Sequence, residues 1–198
     1  MLAQPYLLVA GCSHTEGVGV DPDQTWAHYL AQSLNCNLVN LGRGGACARF
    51  VSDTLIDYLS NTSIPPQLVV AQWPNPYRSM KLVDRTICFY NINSMDQDFE
   101  QRLKNNPNDF VDEWSNSIIK FNSFCHANIV NICLESKQDF IIQTIENFYQ
   151  KDIILHIDEK LPGKTWHFDS SARDRLHHSA ECHQKWADRI LTLIKNTV

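Results

Sequence analysis

The sequence predicts an α/β fold, a three-layer α/β/α sandwich with a mainly parallel sheet of about five strands. Short, continuously apolar runs end in glycine or polar residues, as is typical of strands covered on both faces. Segments with apolar residues at helical spacing separate these runs, and the connections are short. Strands that alternate with helices in this way favour a parallel sheet with helices on both sides.

The first half of the chain carries the clearest pattern. Its predicted elements are, in order, a strand at residues 7–11, a helix at 23–34, a strand at 37–41, a helix at 46–59 and a strand at 67–73. Asp23 is the candidate cap of the first helix, because short side chains with an oxygen satisfy the free N–H groups there. Pro65 and Pro66 separate the second helix from the third strand.

The second half is less regular. Residues 77–94 have a mixed pattern that fits either an irregular excursion or a small hairpin. The predicted elements after them are a helix at 110–124, a strand in "NIVNICL", a helix at 140–149 in which "DFII" also fits a strand, a strand in "DIILHID" and a final helix at 179–194. No repeat, low-complexity tract or linker divides the chain, so residues 1–198 are predicted to form a single domain.

Composition and charge exclude several classes of protein. With 43% hydrophobic and 20% charged residues, the composition indicates neither a disordered chain nor a membrane protein. The net charge is −5 and the basic residues are scattered, so nucleic acid is not an expected partner. Residues 1–9 lack the charge and apolar length of a secretory signal, and the seven cysteines form no C-x-x-C pair. We therefore expect a cytoplasmic protein with reduced thiols and no membrane partner.

Four unusual stretches lie where a functional site is expected. "GCSHTEG", "NLGRGGA" and "QWPNPYR" each follow a predicted strand, and "DSSARDRLHHS" precedes the final helix. Ligands of open parallel sheets bind at the carboxyl ends of the strands. Serine, histidine and aspartate are the parts of an activated nucleophile, and glycine N–H groups and an asparagine amide can stabilise an oxyanion.

The first and last stretches carry a known pair of motifs. Gly11, Ser13 and Gly17 fit the pattern G-D-S-x-x-x-G, with Cys12 in place of the aspartate, and "DRLH" at 174–177 fits D-x-x-H. On these residues the chain resembles the SGNH (GDSL-type) hydrolases, especially the divergent small members found in phage and bacterial genomes. The resemblance runs from the first strand to the last helix and implies a flavodoxin-like fold.

The two middle stretches match the family less closely. The family's second motif has a glycine a few residues after an asparagine, which corresponds to Gly45 when counted from Asn40, with Gly44 as the alternative. The third motif, G-x-N-D, is met only by Asn75, because Trp73 and Pro76 stand at the glycine and aspartate positions.

The resemblance implies a serine hydrolase that cleaves an ester, such as an acyl or acetyl ester of a carbohydrate, and requires no cofactor. Ser13 would be the nucleophile and His177 the base, with Asp174 accepting a hydrogen bond from the far ring nitrogen of the histidine. The backbone N–H groups of Ser13 and Gly45 and the amide of Asn75 would form the oxyanion hole.

Several residues near these motifs keep more than one interpretation. Ser13 also fits a helix cap, and Asn75 and the glycines also fit plain turns. The side chains of His14, Arg43 and Arg78 either bind substrate or lie in solvent, Asp169 competes with Asp174, and His178 neighbours the proposed base. A metal site at His178, Cys182 and His183 is a rival hypothesis, although no second pair with zinc spacing accompanies it. The alternative function is a catalytically inactive binding or phage accessory protein, because Cys12 and the third block depart from the family's pattern.

Overall fold

The computed structural model describes residues 4–91, 94, 96–133, 154–156 and 177–197. A five-stranded sheet, in which every neighbouring pair is parallel, confirms the predicted fold class. The strands are β1 (Tyr6–Ala10), β2 (Asn37–Asn40), β3 (Leu68–Trp73), β6 (Ile129–Cys133) and β7 (Ile154–His156), in the spatial order β2-β1-β3-β6-β7. The chain passes to one side of β1 and then to the other, so the carboxyl ends of β1 and β3 flank the point where the order reverses.

Helices cover both faces of this sheet. They are α1 (Ser13–Glu16), α2 (Trp26–Ser33), α3 (Ala48–Asn61), α4 (Gln97–Asn105), α5 (Pro107–Phe124) and α6 (Ala180–Thr197), with a 3₁₀ turn at Pro22–Gln24. Among the described residues, no helix has both the length and the apolar content needed to cross a bilayer.

The alternation of β1 divides the core into two layers. Leu8 and Ala10 pack with residues of α3 and α5, whereas Leu7 and Val9 pack with residues of α2 and α6. The buried side chains that extend these layers include Val51 and Trp114 on the first side and Trp26, Trp186 and Ile190 on the second. A strand buried on both faces must be apolar at every position, which is why residues 7–10 form an unbroken apolar run.

The structure corrects the start of the helix predicted at 23–34, which is α2. Asp23 does not cap it, because Pro22–Gln24 form the 3₁₀ turn, which Asp21 and Gln24 close through reciprocal side-chain bonds. The cap of α2 is Thr25, whose hydroxyl oxygen accepts a hydrogen bond from the N–H of His28 at 3.1 Å.

The middle of the chain forms a hairpin followed by two helices. β4 (Arg78–Val83) pairs antiparallel with β5 (Thr86–Asn91), so of the two interpretations of residues 77–94 the hairpin is correct. Helix α4 has no counterpart among the predicted elements, since Phe99 is its only buried residue and Leu103 is its only other apolar residue. The predicted helix at 140–149 lies outside the described residues.

Candidate active site

Ser13 is the first residue of α1, the single helical turn that directly follows β1. The N–H groups of Thr15 and Glu16 both donate to the carbonyl oxygen of Cys12 at 3.0 Å, which closes the turn. Ser13 precedes these two residues in the turn, and its N–H has no acceptor among the described residues. The start of α1 therefore presents both the hydroxyl and an unused backbone donor of Ser13 at the carboxyl end of β1.

Gln72 on β3 orders this turn. Its side-chain oxygen accepts hydrogen bonds from the N–H of Cys12 at 2.9 Å and from the hydroxyl of Thr15 at 3.0 Å, and all three residues are buried. A Cβ at Gly11 would collide with both side-chain oxygens of this network, which explains the glycine there. Cys12 removes the carboxylate usual at its position, and the Gln72 amide oxygen supplies an acceptor from the neighbouring strand instead. The sequence signal for this residue was a lone polar side chain within an apolar strand.

The loop after β2 lies against α1. Gly42 must be glycine, because a Cβ there would meet the backbone of Thr15 and Glu16. The side-chain amide of Asn40 donates to the carbonyl oxygen of Thr15 at 2.7 Å, which ties the two loops together. The loop that resembles the family's second motif is thereby held beside Ser13.

Hydrogen bonding separates the two candidate glycines of this loop. The N–H groups of Gly42, Arg43, Gly44 and Ala46 donate, respectively, to the Asn40 side chain, Gly11 O, a Glu16 carboxylate oxygen and Arg43 O. Of the five residues from 42 to 46, only Gly45 has an N–H group without an acceptor in the described part of the chain. Gly45 also has a left-handed φ of 79°. Its amide is thus available to a ligand, whereas the amide of Gly44 is occupied by Glu16.

Asn75 closes a turn after β3. Its side-chain oxygen accepts a hydrogen bond from the N–H of Tyr77 at 2.8 Å. The turn interpretation is therefore correct for the side-chain carbonyl group of Asn75. The side-chain NH₂ group takes no part in that bond and has no acceptor among the described residues. The indole N–H of Trp114 donates to Pro74 O at 2.7 Å and holds the loop on α5.

The two ends of the chain meet beside Ser13. The ring of His14 lies edge-to-face with the ring of His177, with centroids 5.8 Å apart, and also with that of His178 at 5.1 Å. On another side it stacks on the indole of Trp186 at 5.6 Å and 24°. The segment before α6 therefore lies against α1, one residue away from Ser13. Asp174 and Asp169 lie outside the described residues.

His14 is not the solvent-exposed side chain that one interpretation allowed. Its Nδ1 is buried and has no hydrogen-bond partner in the described part of the molecule. Burial holds the pKa of His14 well below its ordinary value, and the charges of His178, His183, His177 and Arg78 lower it further. The imidazole next to Ser13 is consequently neutral near pH 7. Local sequence gave no sign of this, because the covering indole comes from the last helix.

His183 is a second buried imidazole in the cluster of rings formed by His14, His177, His178 and Trp186. Its Nδ1 accepts a hydrogen bond from the N–H of Trp26 at 3.1 Å, which joins α6 to the start of α2. Burial, followed by the charges of His178 and His177, lowers the pKa of His183 to about 4. Its acceptor nitrogen is already used in holding the two helices together.

The architecture has close counterparts among solved structures. Neither a scan against family models nor a search of curated proteins finds a match. A member of the lipolytic protein G-D-S-L family from Veillonella parvula DSM 2008 aligns over 96% of this chain and 98% of its own, with a TM-score of 0.59 and 14% identity. A carbohydrate esterase family 2 enzyme with a carbohydrate binding domain, from Corynascus thermopiles (Myceliophthora fergusii), aligns over 97% of this chain and 66% of its own, with a TM-score of 0.63 and 12% identity.

A catalytic mutant of Axe2, an acetylxylan esterase from Geobacillus stearothermophilus, aligns over 96% of this chain and 94% of its own, with a TM-score of 0.56 and 15% identity. The chain has an SGNH (GDSL-type) hydrolase fold. At these identities the likeness establishes the fold, and the residues of this chain must be judged on their own geometry.

Within the SGNH-type fold, the remaining candidate residues separate into two groups. Arg78, the first residue of β4, is half-buried, and its positive charge helps to lower the pKa of His14. Arg43 is exposed, and its side chain makes no hydrogen bond or ion pair with the described residues, which fits the solvated interpretation. The described residues contain no group of three or more His, Cys, Asp or Glu side chains arranged to hold a metal ion.

Proposed function

We propose that this protein is a serine hydrolase that cleaves an ester through Ser13, His177 and Asp174. The observation that carries the proposal is the contact between the rings of His14 and His177, because it brings the segment with the candidate base against the residue that follows the candidate nucleophile. Two chain segments more than 150 residues apart converge at the carboxyl end of a central strand, where ligands of such sheets bind.

The mechanism follows from the chemistry of these groups. His177 takes the proton of the Ser13 hydroxyl as Oγ forms a bond to the ester carbonyl carbon. Collapse of the tetrahedral adduct breaks the bond to the alcohol, which leaves with that proton, and water then hydrolyses the acyl-serine by the same sequence. Asp174 would hold the imidazole in the required tautomer and stabilise its charged form.

The carbonyl oxygen becomes negatively charged in this reaction and needs donors. The N–H groups of Ser13 and Gly45 and the side-chain NH₂ of Asn75 supply them in this proposal, and none of the three donates a hydrogen bond within the described structure. Removing one such donor typically costs about 3 kcal/mol of transition-state stabilisation. The substrate is a small-molecule or carbohydrate ester, a class that the acetylxylan and carbohydrate esterases of the same fold support. The reaction requires no cofactor.

A serine-directed fluorophosphonate probe tests the proposal. Wild-type protein is expected to be labelled, and Ser13→Ala, His177→Gln and Asp174→Asn are expected to lose labelling while their circular dichroism and thermal unfolding stay close to wild type. The exposed residues Ser60 and His126 provide matched controls, since Ser60→Ala and His126→Gln should be labelled normally. Labelling that survives in Ser13→Ala would refute the assignment of the nucleophile.

The second candidate function is a binding protein that keeps the scaffold without catalysis. Cys12 favours it, since its side chain is buried in the core at a position where the family carries an aspartate. Folded wild-type protein that neither reacts with the probe nor hydrolyses a p-nitrophenyl ester would support this function over the first.

A further inference from the structure

The hairpin after the third motif has two faces of different character. β4 and β5 pair in register from Arg78↔Asn91 to Val83↔Thr86, and Asp84 and Arg85 form the tight turn with positive φ. Because directly opposed residues share a face, the residues divide into two sets. The site face contains Arg78, Met80, Leu82, Ile87, Phe89 and Asn91, and the outer face contains Ser79, Lys81, Val83, Thr86, Cys88 and Tyr90.

Helix α4 and the residue that caps it cover the outer face. The ammonium of Lys81 lies 3.6 Å from a carboxylate oxygen of Asp96 and 3.8 Å from one of Asp98. The ring of Tyr90 stacks on Phe99 at 6.2 Å and 22°. This face is therefore already packed within the chain, and its inner part is closed to a ligand.

The inner end of the site face lies against the candidate active site. A Cβ built on Gly45, the glycine with the unused N–H, would be 3.1 Å from Cβ of Phe89. The Phe89 ring packs on Phe50 with centroids 5.1 Å apart, which fixes the hairpin at this point. The charge of Arg78, on the same face, helps to lower the pKa of His14 on α1. The site face thus begins where the oxyanion hole is proposed.

The outer end of the site face is apolar and uncovered. Leu82 and Ile87 form a cross-strand pair and are 72% and 45% exposed. Alternate residues of a strand are about 7 Å apart. The Leu82–Ile87 pair therefore lies about 7 Å farther along the hairpin than the Met80–Phe89 pair, on the same face. Of the exposed large apolar side chains in the described structure, Leu82, Val83 and Ile87 are the ones that occur together. Exposed apolar residues that cluster next to a site indicate a binding function.

We propose that the apolar strip formed by Met80, Leu82, Ile87 and Phe89 binds the acyl chain of the ester, so that the enzyme prefers a medium-length apolar acyl group to acetyl. This inference rests on the proposed function, and it concerns the acyl side of the substrate only. An acyl group attached to Ser13 with its oxygen near Gly45 starts at the inner end of the strip, and its chain can follow the strip outward. Each buried methylene is worth about a fourfold gain in kcat/KM.

The shape and charge of the surface favour an acyl chain over larger occupants. The strip is one cross-strand pair wide and has the site at one end, so it matches a linear chain better than a flat protein partner. A net charge of −5 opposes adsorption to an anionic membrane. The strip is also continuous with the position of the reacting carbonyl.

The test compares the hydrolysis of p-nitrophenyl acetate, butyrate and octanoate. For wild type, kcat/KM is expected to rise at least tenfold from acetate to octanoate. The double variant Leu82→Ser/Ile87→Ser is expected to lose at least tenfold on octanoate with acetate hydrolysis unchanged. Val83→Ser is the matched control, because Val83 is exposed at the same tip but lies on the outer face, and it should retain the wild-type profile. A flat wild-type profile, or an equal loss in Val83→Ser, would overturn the inference.

A binding measurement separates this inference from the proposed chemistry. Titration of octanoate into wild-type protein by calorimetry should show binding that acetate does not show and that the double variant loses. Octanoate binding without hydrolysis of any ester would support the strip and refute the hydrolase. Hydrolysis of acetate without a chain-length preference or octanoate binding would support the hydrolase and refute the strip. A double variant that changes only sedimentation or binding to phosphatidylcholine vesicles would also refute it.

Discussion

Replacing Gln72 with methionine tests how the nucleophile turn is held. The side chain keeps nearly the same volume, but the oxygen that accepts from Cys12 N–H and from the Thr15 hydroxyl is lost. Gln72, Cys12 and Thr15 are at most 1% exposed, so water cannot replace the missing acceptor. A buried donor without a partner costs about 1–3 kcal/mol. Two such donors give an expected loss of about 3 kcal/mol, because the hydroxyl, unlike the backbone N–H, can rotate toward another acceptor.

Urea unfolding measures this loss directly, and the rate of ester hydrolysis measures its effect on the site. At about 2–4 °C per kcal/mol for a chain of this size, Tm should fall by about 6–12 °C. Hydrolysis should fall by about 100-fold in kcat/KM, since Ser13 follows Cys12 directly and a displacement of about 1 Å can have that effect.

A double-mutant cycle with Thr15→Val shows whether the network is the cause. In wild type, Thr15→Val removes one of two donors and leaves Gln72 bonded to Cys12. In the Gln72→Met background the same change removes an unpaired buried hydroxyl, so it should cost less by about 1 kcal/mol or more. Additive effects, or a loss of stability below about 1 kcal/mol for Gln72→Met, would refute the view that this amide orders the turn.

The other predictions concern the pH and the glycine loop. Lowering the pH from 7 to 5 should reduce the free energy of unfolding by about 2 kcal/mol through His183 alone. Its folded pKa of about 4 keeps it neutral in the native state, while the unfolded chain takes up a proton near pH 6.5. Urea unfolding of His183→Gln should therefore show a weaker pH dependence, and an equal dependence would contradict this account. Gly45→Ala should reduce hydrolysis by up to about 100-fold and cost more than about 1–2 kcal/mol of stability, because a Cβ there adds a contact with Phe89 to left-handed strain. Gly44→Ala should be tolerated, because its Cβ would meet the flexible end of Glu16 at 3.0 Å and Val18 at an ordinary contact distance of 3.9 Å.

The parts of the fold that were predictable are those in which one local pattern decides the structure. Residues 7–10 are apolar because both faces of β1 are buried, so this strand can be predicted from its own sequence alone. Helix α4 was missed because Phe99 and Leu103 are its only apolar residues, and two apolar residues among seven polar ones make no clear period. The hairpin was ambiguous because α4 covers one of its faces and the other ends in exposed Leu82 and Ile87, so neither strand alternates clearly between apolar and polar residues.

The same distinction applies to the candidate site. Ser13, Gly45 and Asn75 could be proposed because each lies in a short motif at a predicted strand end. Gln72 could not, because its function depends on partners 57 and 60 residues away. The choice between Gly44 and Gly45 likewise depended on Glu16, which reaches the loop from α1.

The position of His177 is set by the packing of helices rather than by its own segment. Trp186, Ile190 and Ile194 of α6 share a core layer with Trp26 and Leu30 of α2, and His183 accepts from the backbone at the start of α2. Because this layer also contains Leu7 and Val9 of β1, α6 is held against the strand that leads to Ser13. His14 then stacks on Trp186 and touches His177. Near pH 7 both buried imidazoles, His14 and His183, are neutral, so neither adds a positive charge that would oppose protonation of His177 in the proposed mechanism. In the proposed mechanism, the core layer between α2 and α6 would therefore serve the chemistry as well as the stability, because it sets both the place and the electrostatic surroundings of the proposed base.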